Sequence, residues 1–386
     1  MGKKKEKGNG QGTIFKVKKS GLHIGQYVKN GKRHSVYQWR NETLTEFKHR
    51  FNDILSSIHL GTYIEKSNET FIDILERHIN QKHEDGITSD AGYLRDYYSV
   101  ELIKNTCDNF INKPIQKITA DDIEDAKPKM KKYAQTSIDK AWTLINKTFK
   151  ISISRRKITF NPMDDETLQK PISKKEHNKI DALTIKEEQK LRYILNNQEL
   201  NHKYRNIVLL QLDTGMRIGE VLARSKSNVN LRANTLTIDN TFTRDLSGKI
   251  VLGKHTKTYN KRTGIDNGKR ILTMNPEVRS IITEQLKHGI NNIYGLLFWD
   301  YKNNTFVAYH EINAWLSRIN KKYNITNKKL SSHILRHTYI TRLREAGIDM
   351  KVIQYLVGHV EGSSITDDVY TSVSEDFIEK ELKKIN

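Results

Sequence analysis

The chain opens with short stretches in which apolar and polar residues alternate. This alternation predicts three antiparallel strands, at residues 13–17, 23–28 and 34–39. The Asn30–Gly31 pair between the second and third stretches is typical of a two-residue hairpin turn. Apolar residues then recur every three or four positions from Thr43 to His59, which predicts a helix. Residues 1–62 are therefore expected to form a small sheet accompanied by one helix.

From Thr70 the spacing of apolar residues is helical. It predicts one helix through Phe71 and Ile79, and a second through Leu94 and Leu102. Such a run of helices without strands predicts an all-α segment after the small sheet.

Two further helices are expected before residue 165. Thr119, three residues before Asp122, predicts a capping box that opens the first of them. Thr136 or Ser137 is expected to open the second and longer one, and Asn161–Pro162 to stop it. The face of this longer helix that is expected to be buried consists of Ile138, Ala141, Ile145, Thr148 and Phe149.

A polar segment at 164–181 predicts a linker, and Thr184 with Glu187 predicts a capping box that opens the last part. That part is helical, then alternating from about Thr235 to Met274, then helical again. The sequence therefore predicts a multidomain α+β fold. Its parts are a small three-stranded β-sheet plus helix at 1–62, an all-α domain at 70–165, and a mixed, mainly α domain with a small β-sheet at 182–386.

The charge of the chain changes this picture by pointing to a partner. The formal net charge is +21, and residues 1–40 hold eleven Lys or Arg against one Glu. A surplus of this size favours a polyanionic partner, and on charge alone either nucleic acid or an acidic membrane surface fits.

Several classes of protein are excluded by composition. No apolar run approaches the roughly 18 residues that span a bilayer, and the basic start, Met1 to Lys7, is not followed by the apolar stretch of a secretory signal. Cys107 is the only cysteine, so no intramolecular disulfide or zinc site with paired cysteines can form. These features favour a cytoplasmic protein.

Five motifs in the last part carry recognisable chemistry. In chain order they are Thr214-Gly215-Met216-Arg217-Ile218-Gly219-Glu220, Thr256-Lys257-Thr258, His333-Ile334-Leu335-Arg336-His337, Gly358-His359 and Tyr370. His333 and Arg336 are three residues apart, so they share one face of a helix. Arginine, histidine, lysine and tyrosine without paired carboxylates suit a phosphodiester that a phenolate attacks, with guanidinium groups stabilising the charge.

The ordered motifs resemble the tyrosine recombinase (phage integrase) family. The pattern of that family is T-G-x-R-x-x-E, a lysine in a β-hairpin, H-x-x-R-H, G-H and a late tyrosine, and this chain fills every position over residues 184–386. Val357 stands where the family often has Leu, and Ile334 where it often has Asp or Gly. Neither difference removes a reacting group.

The resemblance implies which residues hold the scissile phosphate. Arg217 and Arg336 would bind its non-bridging oxygens, and His359 would donate a further hydrogen bond. Glu220 would position an arginine. The family needs no metal, so neither a metal nor another cofactor is expected.

The resemblance also implies the proton transfers. Tyr370 would attack phosphorus and form a 3′-phosphotyrosine link, His333 would assist proton transfer at this nucleophile, and Lys257 would protonate the leaving 5′ oxygen. Because the link retains the energy of the broken bond, no ATP would be needed.

Alternatives remain for several of these residues. Lys254, Lys261 and Lys269 lie in the same predicted hairpin as Lys257. His333 and His337 have the spacing of a metal-binding pair, but the absence of the carboxylate of H-E-x-x-H disfavours a metal, and a structural role is the alternative for His337. The other tyrosines near the motifs, Tyr339 and Tyr355, are expected to lie on helices.

The layout of the chain resembles lambda-type and conjugative-transposon integrases. Residues 1–62 would be the arm-type DNA-binding domain, 70–165 the helical core-binding domain and 182–386 the catalytic domain. The residues expected to contact DNA outside the catalytic domain are Lys140, Lys147, Lys150, Arg155, Arg156, Tyr27, Tyr37 and Arg40.

The function expected from this resemblance is integration and excision of a mobile element at double-stranded DNA with core and arm sites. The partners would be a homo-tetramer on DNA, an excisionase and a host DNA-bending protein, in the cytoplasm and nucleoid of a bacterial host, with no membrane. The tail at 374–386 is compatible with docking on a neighbouring subunit or on its own domain.

Three other functions remain open. A chromosome or plasmid resolvase or a type IB topoisomerase uses the same chemistry, but the arm-like segment favours an integrase. A non-catalytic regulator descended from recombinases would not need all six reacting groups. An RNA-binding protein would account for residues 1–62 only.

Overall fold

The computed structural model describes residues 12–29, 31–175, 182–260, 263–287 and 290–358, together with Phe377, Ile378, Glu381 and Lys384. The interpretations of His359 and Tyr370 lie outside the described residues. The described chain divides into two compact units, one formed by residues of 1–78 and 99–175, the other by residues of 79–98 and 176–386.

The predicted N-terminal sheet is present. Its strands are β1 (Thr13–Lys16), β2 (His23–Lys29) and β3 (Lys32–Tyr37), which pair antiparallel in the order β1-β2-β3. Lys29 is paired with Lys32, the register that the intervening Asn-Gly pair predicted. Helix α1 (Leu44–His59) starts at a capping box formed by Thr43 and Glu46, and its Phe47 and Phe51 are buried.

Four helices form the all-α segment that the periodicity predicted. They are α2 (Phe71–Glu84), α3 (Asp90–Thr106), α4 (Ala120–Met130) and α5 (Gln135–Ser154). The capping box of Thr119 and Asp122 opens α4 as expected. All five residues predicted for the inner face of α5 are buried.

The predicted bounds of α5 were wrong at both ends. The helix begins at Gln135, and Ala134 before it makes no side-chain cap. It ends at Ser154, and Arg156 adopts a left-handed φ of 52°, well before Asn161–Pro162. The helix is therefore ended by backbone reversal at the Arg155–Arg156 step rather than by the proline.

The described part of the predicted linker is held to the first unit. Ser173 Oγ donates to the carbonyl of Tyr133 at 2.6 Å, and the Lys174 amide donates to the carbonyl of Lys131 at 2.9 Å. Residues 173–174 are thus fixed by specific hydrogen bonds.

The part of the second unit from residue 182 onward is mainly helical, as predicted, and its described residues form two small sheets where one was predicted. Its helices are α6 (Ile185–Asn197), α7 (Arg205–Thr214), α8 (Ile218–Leu222), α9 (Pro276–Lys287), α10 (Tyr309–Tyr323), α11 (Ser332–Glu345) and α12 (Met350–Val357). Its strands are β4 (Val229–Asn230), β5 (Thr235–Ile238), β6 (Phe242–Arg244), β7 (Ile250–Leu252) and β8 (Arg270–Thr273). They form an antiparallel sheet β4-β5-β8 and a separate hairpin β6-β7.

The core of this unit positions α7, α11 and α12 together. Tyr339 of α11 packs over Gly215, where a Cβ would lie 2.3 Å from its ring. In the tail, Ile378 joins the hydrophobic core, and Glu381 accepts a hydrogen bond from the Asp349 amide at the start of α12. These two tail residues therefore contact their own domain. Within the described residues, no helix has both the length and the apolar character needed to cross a membrane.

Candidate active site

Arg217 is presented by the turn between α7 and α8. Helix α7 ends at Gly215, whose φ of 61° reverses the backbone. Arg217 then precedes α8, and its amide donates to Glu220 Oε2 at 3.0 Å while its Nη1 donates to Glu220 Oε1 at 2.9 Å. Its Nη2 donates to the carbonyl of Gly358 at 2.9 Å. The backbone and the guanidinium of Arg217 are therefore held by one carboxylate.

Arg336 and His333 lie one turn apart on α11, as their spacing predicted. Arg336 is 4% exposed, and it donates to the carbonyls of Gly215 at 2.7 Å and Val357 at 2.6 Å. His333 is exposed, and its ring meets that of His337 edge-on at 5.2 Å between centroids. Helix α11 therefore offers one buried cation and one accessible imidazole.

The surroundings of His333 lower the pKa of its imidazole. Burial, then His337, Arg336, Lys257 and Arg217, lowers the pKa of His333 below its ordinary value of 6.5. At neutral pH its imidazole is therefore uncharged and able to accept a proton.

Glu220 is the buried counter-charge of the site. Its side chain is fully buried between Arg217 Nη1 and the Nη2 of a second arginine, Arg270, at 2.9 and 2.8 Å. Burial opposes ionisation of this carboxyl, but Arg270 and Arg217 outweigh it and lower the pKa of Glu220. The carboxylate is therefore ionised and orders two guanidinium groups.

Lys257 lies in a turn that follows β7, in the region where a β-hairpin was predicted. Thr256 before it is buried and donates its amide to Asp266 Oδ2 at 2.8 Å, and Lys257 itself is exposed. The strands on either side of this segment do not pair with each other, because β7 pairs with β6 and β8 pairs with β5. An antiparallel bridge between Tyr259 and Asp266 lies just beyond Lys257 in this region.

One cavity of about 990 Å³ collects four of the predicted residues. Arg217, Lys257, His333 and Arg336 all line it. Of the rival lysines, Lys254 lines the same cavity, Lys269 does not, and Lys261 lies outside the described residues. His359 and Tyr370 also lie outside them, although Gly358, which precedes His359, touches Arg217 through its carbonyl.

The alternative that His333 and His337 bind a metal finds no third ligand in the described part of the chain. Among the described residues, no group of three or more His, Cys, Asp or Glu side chains is arranged to hold a metal ion.

Two buried arginines were missed by the sequence analysis. Arg270 is 3% exposed and bonds Glu220, and Arg224 is fully buried and donates to the carbonyls of Glu220 at 2.8 Å and Asn240 at 2.8 Å. Arg270 occupies an inward position of β8, whose burial alternates with Ile271 exposed. A charged residue at a core-facing position of a predicted strand is the signal that could have identified it.

The cations predicted for DNA contact on α5 form one exposed face. Lys140, Lys147 and Lys150 follow helical spacing, and Arg155 and Arg156 continue from the end of the helix. All five are exposed, and none has an ion-pair partner among the described residues. We call this set the basic ridge.

The residues predicted for DNA contact in the N-terminal segment differ in exposure. Tyr37 is 63% exposed, and Arg40 is also exposed. Tyr27 is only 5% exposed, because it stacks on His34 and donates its hydroxyl to Tyr63. The interpretation of Tyr27 as a DNA contact is therefore corrected: it is a core residue beneath the sheet.

Comparisons with known proteins identify the family of the chain. Residues 181–376 match the model described as the phage integrase family. The chain is 30% identical over 240 residues to the integrase of Staphylococcus phage L54a, covering 58% of this chain and 65% of that protein. It is 22% identical over 412 residues to the transposase from transposon Tn916 of Enterococcus faecalis, covering 97% of this chain and 96% of that protein.

Two solved structures share the fold. The Tn1549 transposon integrase in complex with a circular intermediate DNA superposes with a TM-score of 0.64 at 19% identity, covering 82% of this chain and 99% of that one. A lambda integrase tetramer bound to a Holliday junction superposes with a TM-score of 0.52 at 15% identity, covering 95% of this chain and 99% of that one.

Proposed function

The chain belongs to the phage integrase family of DNA breaking-and-rejoining enzymes, and from this membership we propose that it integrates and excises a mobile element through Tyr370. The observation that carries the proposal is the meeting of Arg217, Arg336, His333 and Lys257 at one cavity. Such a concentration of donors and positive charge suits a phosphodiester.

The reaction begins when the Tyr370 oxygen attacks phosphorus. The phenol proton passes to His333, whose lowered pKa leaves it neutral at pH 7. The bond from phosphorus to the 5′ oxygen breaks, and Lys257 donates a proton to that oxygen. The product is a 3′-phosphotyrosine link, which the 5′ hydroxyl of another strand attacks in the reverse sense, so no ATP is consumed.

Arg217 and Arg336 bind the non-bridging oxygens and stabilise the charge that develops on them. Each guanidinium has five N–H donors, and each uses two of its nitrogens on the protein groups described above. N–H groups remain on both for the phosphate, and His359 adds a further donor. Removing one such preorganised donor costs about 100- to 1000-fold in rate in comparable sites.

The basic ridge of α5 binds the phosphates of the core site. Its cations lack ion-pair partners among the described residues, so phosphates are their natural counter-ions. We assign the domain limits accordingly: 1–62 for arm binding, 70–165 for core binding and 182–386 for catalysis.

The open face of the N-terminal sheet reads the arm site. Helix α1 covers one face of the sheet, and the other face exposes Phe15, Val28 and Arg33 beside Tyr37. A β-ribbon of this kind fits the major groove. The transposon transposase aligns over 97% of this chain, which favours a mobile-element enzyme with such an extra domain over a resolvase.

The assembly that performs strand exchange is a homo-tetramer on two duplexes, assisted by an excisionase and a host DNA-bending protein. It acts on the nucleoid in the cytoplasm of a bacterial host. This proposal follows the family layout and the tetramer of lambda integrase on a Holliday junction.

An excision assay tests the proposal. A plasmid in which the two ends of the element flank a marker is incubated with the protein and host extract, and circles with joined ends are sought by PCR. We expect circles with wild-type protein and none with Arg336→Gln. Covalent adducts at isolated sites without any circles would contradict the mobile-element role and leave the cleavage chemistry intact.

A further inference from the structure

A third arginine lies behind the two that face the cavity. Arg270, at the start of β8, is 3% exposed and is absent from the cavity lining. Its guanidinium donates to Glu220 Oε2 at 2.8 Å, to the carbonyl of Leu356 at 2.8 Å and to the carbonyl of Gly268 at 2.9 Å. These three partners belong to three separate segments of the domain.

The first partner, Glu220, leads to Arg217. The same carboxylate holds the amide and the Nη1 of Arg217. Displacement of Arg270 would therefore leave Glu220 with one guanidinium instead of two, and its buried charge would be less well balanced.

The second partner, Leu356, belongs to the last turn of α12. The next two carbonyls, of Val357 and Gly358, accept from Arg336 and Arg217. Gly358 has a φ of 61°, and a Cβ there would lie 2.6 Å from Arg270 Nη1. The end of α12 thus rests directly on the Arg270 guanidinium, immediately before His359 in the chain.

The third partner, Gly268, leads to Lys257. The Gly268 amide donates to Asp266 Oδ1 at 3.2 Å, and Asp266 Oδ2 accepts from the Thr256 amide at 2.8 Å. Arg270 is therefore connected through three hydrogen bonds, by way of Gly268 and Asp266, to the turn that carries Lys257.

We propose that Arg270 is a positioning residue that fixes Arg217, the end of α12 and the Lys257 turn relative to one another. The inference rests on the proposed function, because the groups it aligns are those assigned to DNA cleavage. Arginine suits this task since its planar fork donates in several fixed directions, whereas lysine is a point charge. Misplacement of catalytic groups by about 1 Å costs roughly 100-fold in rate.

The test compares Arg270→Gln and Arg270→Lys in the full chain. The matched control is Arg192→Gln, which removes a guanidinium from Glu188 and Asp213 in the same domain without touching Glu220 or α12. We expect Arg270→Gln to lower the rate of covalent adduct formation on a nicked DNA duplex at saturating protein by roughly 100-fold. DNA affinity should change little, and Arg192→Gln should cleave at the wild-type rate.

Arg270→Lys separates positioning from charge balance. Lysine can balance Glu220 but cannot reach all three partners, so we expect its thermal stability to recover while its cleavage rate stays low. Full recovery of the rate with lysine, or wild-type cleavage by a folded Arg270→Gln, would overturn the positioning role.

A second readout does not depend on cleavage. Hydrogen exchange of the amides in residues 353–358 should be faster in Arg270→Gln than in the wild type and in Arg192→Gln. Unchanged exchange would overturn the inference even if the enzyme cleaves DNA. If exchange is faster in Arg270→Gln but the wild-type protein never forms an adduct, the result would support Arg270 as the anchor of α12. It would then contradict only the proposed function.

Discussion

Arg217 and Arg336 donate to consecutive backbone carbonyls at the end of α12, Arg217 to Gly358 at 2.9 Å and Arg336 to Val357 at 2.6 Å. Arg217 lies in the turn before α8 and Arg336 lies on α11, so the two residues are 119 positions apart in the chain. Burial first, and then the charge of Arg217, lowers the pKa of Arg336. Two guanidinium groups held this close are stabilised by an anion between them, and the phosphate of DNA supplies one.

Replacement of Arg336 by lysine should impair cleavage more than DNA binding. Lysine keeps the charge, but its ammonium group cannot donate to Gly215, Val357 and a phosphate at the same time. We expect the rate of adduct formation to fall by about 100- to 1000-fold, measured on a nicked duplex by denaturing gel. A lysine variant that cleaves within a few-fold of the wild type would show that Arg336 acts through charge alone.

Replacement of Glu220 by glutamine should destabilise the domain. Loss of this buried carboxylate leaves Arg217 and Arg270 without their counter-charge, which costs about 3–5 kcal/mol when one partner of a buried pair is removed. Thermal unfolding measures the loss.

Glu188 offers a matched control for Glu220, because it also binds two arginines, Arg192 and Arg342. It is more exposed and lies outside the cavity lining. Glu188→Gln should reduce stability by a smaller amount and leave the cleavage rate of the folded protein unchanged. Equal loss of cleavage in both variants would argue that Glu220 has no special part in ordering Arg217.

The fold was largely predictable because its signals are local. The hairpin turn, the capping boxes at Thr119 and Thr184, and the inner face of α5 are each encoded within a few residues. The end of α5 was not predictable, because Arg156 reverses the backbone in a left-handed conformation. Glycine or asparagine is the usual sequence signal for that conformation, and neither is present there.

The site residues that could be predicted are those that belong to sequence motifs of fixed spacing. Arg270 was missed because two of its three partners, Glu220 and Leu356, are distant in sequence, and hydrogen bonds across 50 and 86 positions leave no periodic pattern. Tyr27 was assigned to DNA because strand alternation alone does not tell which face α1 covers. Lys257 was predicted only as part of a hairpin region, because the local turn depends on the hydrogen bond between Thr256 and Asp266, ten residues away.

The pH dependence of cleavage should follow His333. The pKa of His333 is lowered below 6.5, so its imidazole stays neutral as the pH falls to that lowered pKa. The cleavage rate should therefore decline only when the pH falls through the lowered pKa. The folded protein binds this proton less tightly than the unfolded chain, so the contribution to stability is complete above pH 6.5 and is lost as the pH falls through the folded pKa.

His337→Gln tests this assignment, because His337 is the largest cause of the lowered pKa after burial. The variant should raise the pKa of His333 and move the acid limb of the rate profile to higher pH. Adduct formation between about pH 5.5 and 8, with NMR titration of the imidazole, measures both. An acid limb that stays in place or moves to lower pH would contradict His333 as the proton acceptor.

Arm-site binding should depend on the open face of the N-terminal sheet. Arg33→Ala and Tyr37→Ala should each weaken binding to DNA from the element ends by about 1–3 kcal/mol, as measured by fluorescence anisotropy. Lys48→Ala is the control, since this exposed cation lies on α1, which covers the other face. If Lys48→Ala weakens binding as much as Arg33→Ala, the open face does not read the arm site.

The central claim is that Tyr370 becomes covalently joined to DNA. A nicked duplex with a crossover site is incubated with the protein in EDTA without ATP, and adducts are resolved on a denaturing gel. We predict an adduct with the wild type and with Tyr355→Phe, whose hydroxyl bonds the Ile271 backbone, and none with Tyr370→Phe, which should still bind DNA. An adduct formed by Tyr370→Phe, or tight DNA binding by the wild type without any adduct, would contradict the account.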